Sequence, residues 1–231
     1  MATEQEPMPW RWYSPGGNDQ LWGSYNTYQS VPYDALPPLP TRTDPGLAWL
    51  RTMPKPRSPL GPSPSLDLDD ERDFGREIDK LTAEAKELGL TVPSALRGFM
   101  TDSELYGRVP SCTACYIDLP DRLIPLPDGR PGRLLRFLND QQCVLLWYLH
   151  LLPDGQHVVV CGLPDGDPEG FSLDDNIVAL NGVICAPSFE DFVHRFWLEN
   201  TIWFAVVGER RELSGEERAY IDFAQRTHPA K

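Results

Sequence analysis

Residues 134–160 read L-L-R-F-L-N-D-Q-Q-C-V-L-L-W-Y-L-H-L-L-P-D-G-Q-H-V-V-V, which is three apolar runs separated by two short polar breaks. The runs at 134–138, 143–151 and 157–162 are of strand length and rich in branched and aromatic residues, the types that fit a pleated and half-buried surface. The breaks Asn139-Asp140-Gln141-Gln142 and Pro153-Asp154-Gly155-Gln156 have turn composition. They are too short for a crossover connection, so neighbouring runs must pair antiparallel as a meander. A further candidate strand at 115–119 precedes them and a weaker one at 177–184 follows.

Working outward, the period changes from strand to helix on both sides. Upstream, Asp69, Asp70 and Glu71 suit a helix N-terminus. Phe74, Ile78, Leu81, Ala85 and Leu88 then recur at intervals of three and four until Gly89 offers a left-handed stop. A shorter helix follows Pro93, with Leu96 and Phe99 facing inward. Downstream, Ser188 and Asp191 form a capping box, and Phe189, Phe192, Val193, Phe196 and Trp197 make a wide apolar stripe. Arg195 and Glu199 then fall on the outer face as an i,i+4 pair. A second box, Ser214 with Glu217, opens a last helix in which Tyr220, Phe223 and Ala224 turn inward. Helices, a central antiparallel sheet and helices again describe an α+β domain over residues 66–231.

Residues 1–65 have a different character. They hold 13 of the 24 prolines and no periodic apolar stretch long enough to form a core of their own. They also hold Trp10, Trp12, Trp22 and Trp49, four of the seven tryptophans. Side chains of that size seldom stay in water, so this Pro/aromatic-rich irregular extension either packs back along the domain, which is the favoured reading, or docks on a partner. Pro37, Pro40 and Arg42 give the spacing P-x-x-P-x-R of polyproline docking motifs, which a proline-rich segment also meets by chance. Because every periodic stripe lies beyond residue 65, residues 66–231 are expected to fold without the extension.

Charge divides at the same place. The extension is neutral, so residues 66–231 carry the whole formal charge of −13. That field disfavours phosphate backbones, so no nucleic acid is expected as a ligand, and it speeds encounter with a basic protein. The longest apolar run, 144–149, falls far short of the ~20 residues of a spanning helix, and the first 20 residues contain no signal-like apolar stretch. The expectation is a cytoplasmic protein with no membrane partner and five reduced cysteines.

Motifs with chemical content are few. Cys112 and Cys115 form C-x-x-C, half of a zinc site or a redox couple, but no second pair of ligands stands at a suitable spacing. A deaminase would need H-x-E upstream, whereas the first histidine is His150. Asp165, Asp167, Glu169 and Gly170 match positions one, three, five and six of a calcium loop, but Asn176 stands where a bidentate Glu belongs. The segment therefore reads as solvated surface. His150, His157, His194 and His228 form no triad that sequence can place, and there is no phosphate loop. Neither a catalytic residue nor a cofactor or metal site is expected.

Residues 134–142 (L-L-R-F-L-N-D-Q-Q), 145–160 and 185–200 (C-A-P-S-F-E-D-F-V-H-R-F-W-L-E-N) resemble the SUKH superfamily of Smi/Knr-type domains. This superfamily includes fungal regulators of cell-wall synthesis and bacterial immunity proteins that neutralise toxins. The resemblance runs from about residue 94 to 204 and does not cover the extension. It implies an α+β domain that works by binding protein, most simply as an immunity protein, with a fungal-type regulatory scaffold as the alternative. A metal-dependent enzyme using Cys112 and Cys115 is a lesser one. Phe137, Trp147, Phe196 and Trp197 read as core, whereas Asp140, Gln141 and Gln142 at the turn and Asp165, Asp167, Glu169, Asp174 and Asp175 in the acidic loop are the candidate partner-binding residues.

Overall fold

The structure is a computed structural model that describes residues 7–16, 21, 26–42, 46–62, 72–126, 129–162 and 182–227. The meander is present as five antiparallel strands in sequence order, β3 (Tyr116–Ile117), β4 (Arg133–Asn139), β5 (Leu146–Leu151), β6 (His157–Gly162) and β7 (Val183–Ala186). Alternation along these strands feeds two apolar layers. Leu135, Phe137, Trp147, Leu149, Val159, Cys161 and Cys185 face the main core, while Leu134, Leu146, Tyr148 and Val160 meet Ile124 and Leu126 on the other face. A bulge between Arg136 and Leu138 breaks the alternation and lets Phe137 and Leu138 both enter the main core.

The helices follow their sequence signals closely. α1 (Phe74–Glu87) buries Phe74, Ile78, Leu81 and Ala85 and stops at Gly89, whose φ is +71°. Its cap is Asp73, whose side chain accepts from the Arg76 amide at 3.0 Å. Asp69, Asp70 and Glu71 lie outside the described residues. α2 (Ser94–Thr101) buries Leu96 and Phe99, and the short α3 (Ser103–Tyr106) follows. α4 (Phe189–Trp203) begins at Ser188, which accepts from the Asp191 amide at 3.0 Å. It runs into a π-helical turn, Phe204–Glu209, and α5 (Gly215–Thr227) opens on the Ser214–Glu217 box, in which each side chain bonds the other's amide. In α5 Tyr220, Ile221 and Ala224 are buried and Phe223 is half-buried.

The extension is woven into this domain. β1 (Arg11–Pro15) and β2 (Tyr28–Pro32) form an antiparallel hairpin, where sequence suggests only irregular chain. Trp12, Val31, Leu36, Leu47, Trp49, Leu50 and Leu60 belong to the same core cluster as the sheet and α4. Both edges of the five-stranded sheet are closed by it: the Ile184 amide donates to Pro9 O at 2.9 Å beside β7, and the Ile117 amide to Gly61 O at 2.7 Å beside β3. Proline suits this position because an edge-covering segment needs carbonyls facing the sheet and few outward donors.

Candidate functional site

The first cluster of chemical groups lies along α4, and it corrects the sequence reading. Arg195 and Glu199 are not on an outer face: they are 4% and 0% exposed. Glu199 accepts from the Trp12 indole at 2.7 Å and the Tyr220 hydroxyl at 2.6 Å, while Arg195 donates to Tyr220 at 2.7 Å and to Pro37 O at 3.0 Å. The cause is the extension, which lays Trp12 and residues 33–37 over the face that a bare helix would show to water. Burial pushes the Glu199 carboxyl up from its ordinary value.

Other candidates are also committed to internal bonds. Asp140 is 1% exposed, accepting from the Tyr28 hydroxyl at 2.6 Å and from the Gln142 amide at 2.9 Å, whereas Gln141 and Gln142 are exposed. Asp165, Asp167, Glu169, Asp174 and Asp175 lie outside the described residues. Cys112 is half-buried and Cys115 buried, both free thiols, and burial raises the pKa of each. Thr113 Oγ1 and the Tyr28 hydroxyl sit 3.2 and 3.6 Å from the Cys115 sulfur. Asp118 holds Arg136 at 2.7 Å and Asn139 at 3.1 Å, and also pairs with Arg72. His150 contacts Pro131 O at 2.9 Å, and His157 accepts from the Phe189 amide at 3.3 Å. Among the described residues no group of three or more His, Cys, Asp or Glu could hold a metal ion.

The polyproline-like motif is taken up inside the molecule. The Arg42 guanidinium stacks 4.6 Å from the Trp49 ring and 5.6 Å from the Trp197 ring, and donates to Glu216 at 2.8 Å and to His194 at 3.2 Å. His194 is pushed down to about 4, first by burial and then by the charges of Arg42 and Arg195. Around these groups lies an open polar cleft of about 550 Å³ whose wall mixes His157, Glu190, Asp191 and Arg42.

A second cleft, of about 260 Å³, lies at the end of α4. Trp197, Thr201 and Phe204 from α4 and the π-helical turn line it, together with Pro54, Pro56 and Pro110. Its rim carries Lys55, Arg57, Arg108 and Arg211 with Glu209 among them. Lys55 and Arg57 side chains are 68% and 81% exposed. Glu209 is shared between Arg57 at 3.8 Å and Arg211 at 3.7 Å, both beyond hydrogen-bond length. Arg211 also pairs with Glu217 at 2.5 Å, and Arg108 with Glu104 at 3.2 Å. Phe204 and Glu209 are the two ends of the π-helical turn, and Arg210 closes it in the left-handed region at φ +53°. This site was not read from the sequence. Its available signal is the recurrence of basic residues, P-K-P-R at 54–57 and R-R at 210–211, in an acidic chain.

No family model, curated protein or solved structure matches the chain. No helix among the described residues is long and apolar enough to cross a membrane.

Proposed function

We propose that this chain is a non-catalytic, SUKH-type protein-interaction domain that neutralises a basic toxin in the cytoplasm by binding it. The observation that carries the reading is the acidic charge of the chain, −13 in total. Among the described residues only Asp118, Asp140, Glu199 and Glu217 are buried, and each has an internal partner. The chain as a whole carries −13, and a charge of that size steers a cationic partner toward the molecule. Cys115, the buried acids and the described histidines are bonded within the fold. A regulatory scaffold using the P-x-x-P-x-R motif is disfavoured, because it would first have to pull Arg42 off the Trp49–Trp197 pair and from Glu216, and expose the Pro37 carbonyl that Arg195 holds.

The test starts from proteins captured by the intact chain from native lysate. A captured basic protein that arrests growth when expressed alone, and is harmless when co-expressed with this chain, supports the reading. Association measured by stopped flow should slow several-fold between low and physiological salt, and again when Asp165, Asp167, Glu169, Asp174 and Asp175 are changed to Asn or Gln. Rates that match wild type at both salts, or a partner without toxicity, would overturn it.

A further inference from the structure

The cleft at the end of α4 combines three features that the fold itself does not require. Its lining is rich in aromatic and proline side chains, Trp197, Phe204, Pro54, Pro56 and Pro110. Its lining holds four cations and one carboxylate, Glu209; Glu104 pairs with Lys55 at 3.1 Å and Arg108 at 3.2 Å and Glu217 with Arg211, which leaves Arg57, 81% exposed, as the cation bound least. Its wall departs from regular helix through the π-helical turn and the left-handed Arg210, backbone features that cost energy and gather at functional sites.

We propose that this cleft binds a small amphipathic carboxylate, an aromatic body bearing one acid group. The volume of about 260 Å³ lies just below the ~300–1,000 Å³ of ligand pockets, which rules out a nucleotide and leaves room for one aryl group beside the lining rings of Trp197 and Phe204. The charge is set by the rim. Glu209 stands 3.8 and 3.7 Å from Arg57 and Arg211, so their guanidinium groups are attracted to it without being saturated by it. The terminal nitrogens of Arg211 are held by Glu217 at 2.8 and 2.5 Å, so a carboxylate entering here accepts from the Arg57 guanidinium and from the Nε side of Arg211. Glu209 also sets the limit, because its own charge repels a dianion such as a phosphate monoester more than a monoanion. The acidic surface that draws a basic protein plays no part here, so the site stands whether or not the chain neutralises a toxin.

The experiment is calorimetric titration of the full chain with 3-phenylpropionate, 3-phenylpropionamide and phenyl phosphate. The expected result is saturable binding of the carboxylate by low-millimolar concentrations, with the amide and the phosphate each about tenfold weaker. Lys55→Gln with Arg57→Gln changes two exposed side chains away from the core and should weaken carboxylate binding about threefold or more with an unchanged circular dichroism spectrum. Thr201→Phe puts a large side chain into the lining and should abolish binding. If this variant fails to fold, the rim variant alone decides. Equal binding of carboxylate and amide, binding unaffected by the rim variant, or no saturable binding of the carboxylate overturns the proposal.

Discussion

At Glu199, one carboxylate at 0% exposure serves three elements at once: it accepts from Trp12 in β1 and Tyr220 in α5, and both its partners also border Arg195 one turn back on α4. Desolvating an acid and a guanidinium is expensive, and the network is favourable only because each group finds its bonds inside. Removing one member leaves a buried charge without compensation. Glu199→Ala is therefore expected to lower stability by about 3–5 kcal/mol, and Glu199→Gln, which keeps acceptor and donor capacity, by clearly less. Urea unfolding midpoints of the two variants check this; equal and small losses would mean that the network contributes nothing specific. The i,i+4 spacing of Arg195 and Glu199 is visible in the sequence, but their burial is not. An exposed pair and a buried one share that spacing, and what distinguishes them is a segment far away in the chain.

The elements were more legible than their surroundings. Gly89 ends α1 and Ser188 begins α4 as their residue types require, because caps answer a purely local need of the first and last amides and carbonyls. Two glycines separate local from tertiary demands. At Gly89, φ is +71° and an added Cβ would meet nothing within 4 Å, so Gly89→Ala should cost only the left-handed backbone penalty of about 1–2 kcal/mol. At Gly132, φ is +100° and a Cβ would lie 2.2 Å from Leu151 O and 2.9 Å from His150 Nε2, at the start of β4. Gly132→Ala is expected to cost well beyond that and to loosen the β4–β5 pairing. Thermal unfolding of both variants should rank them in this order, and the reverse ranking would show that the close approach is not maintained in solution. Strand limits were read less well than helix limits. The run beginning at Cys143 starts as strand only at Leu146, since Cys143 takes φ +54° in the turn, and nothing in a continuous apolar run marks that change.

For the whole molecule, the extension and the domain share one core. Trp12, Leu21, Val31, Leu36, Leu47, Trp49, Leu50 and Leu60 are all at most 6% exposed. At ~1.5–3 kcal/mol for each large apolar side chain, their burial is on the order of 10 kcal/mol or more, comparable to the net stability of a domain. A chain beginning at residue 66 is therefore expected to be largely unfolded. This reverses the independence that the sequence suggests, and a cooperative thermal transition of the truncated chain within a few degrees of the intact one would restore it. By itself the sequence determined the α+β class, the antiparallel meander, the helix caps and the inward positions of Phe137, Trp147, Phe196 and Trp197, because these follow from period, turn chemistry and capping, which act over a few residues. Only the tertiary structure decided that the proline-rich segment closes both sheet edges, that Arg195 and Glu199 are buried, that Arg42 packs against the Trp49–Trp197 pair, and that two distant basic runs flank one aromatic cleft. Each of these depends on which surfaces meet across the whole chain. Hydrophobic burial and charge pairing reward such meetings without leaving a periodic mark in the segments that take part.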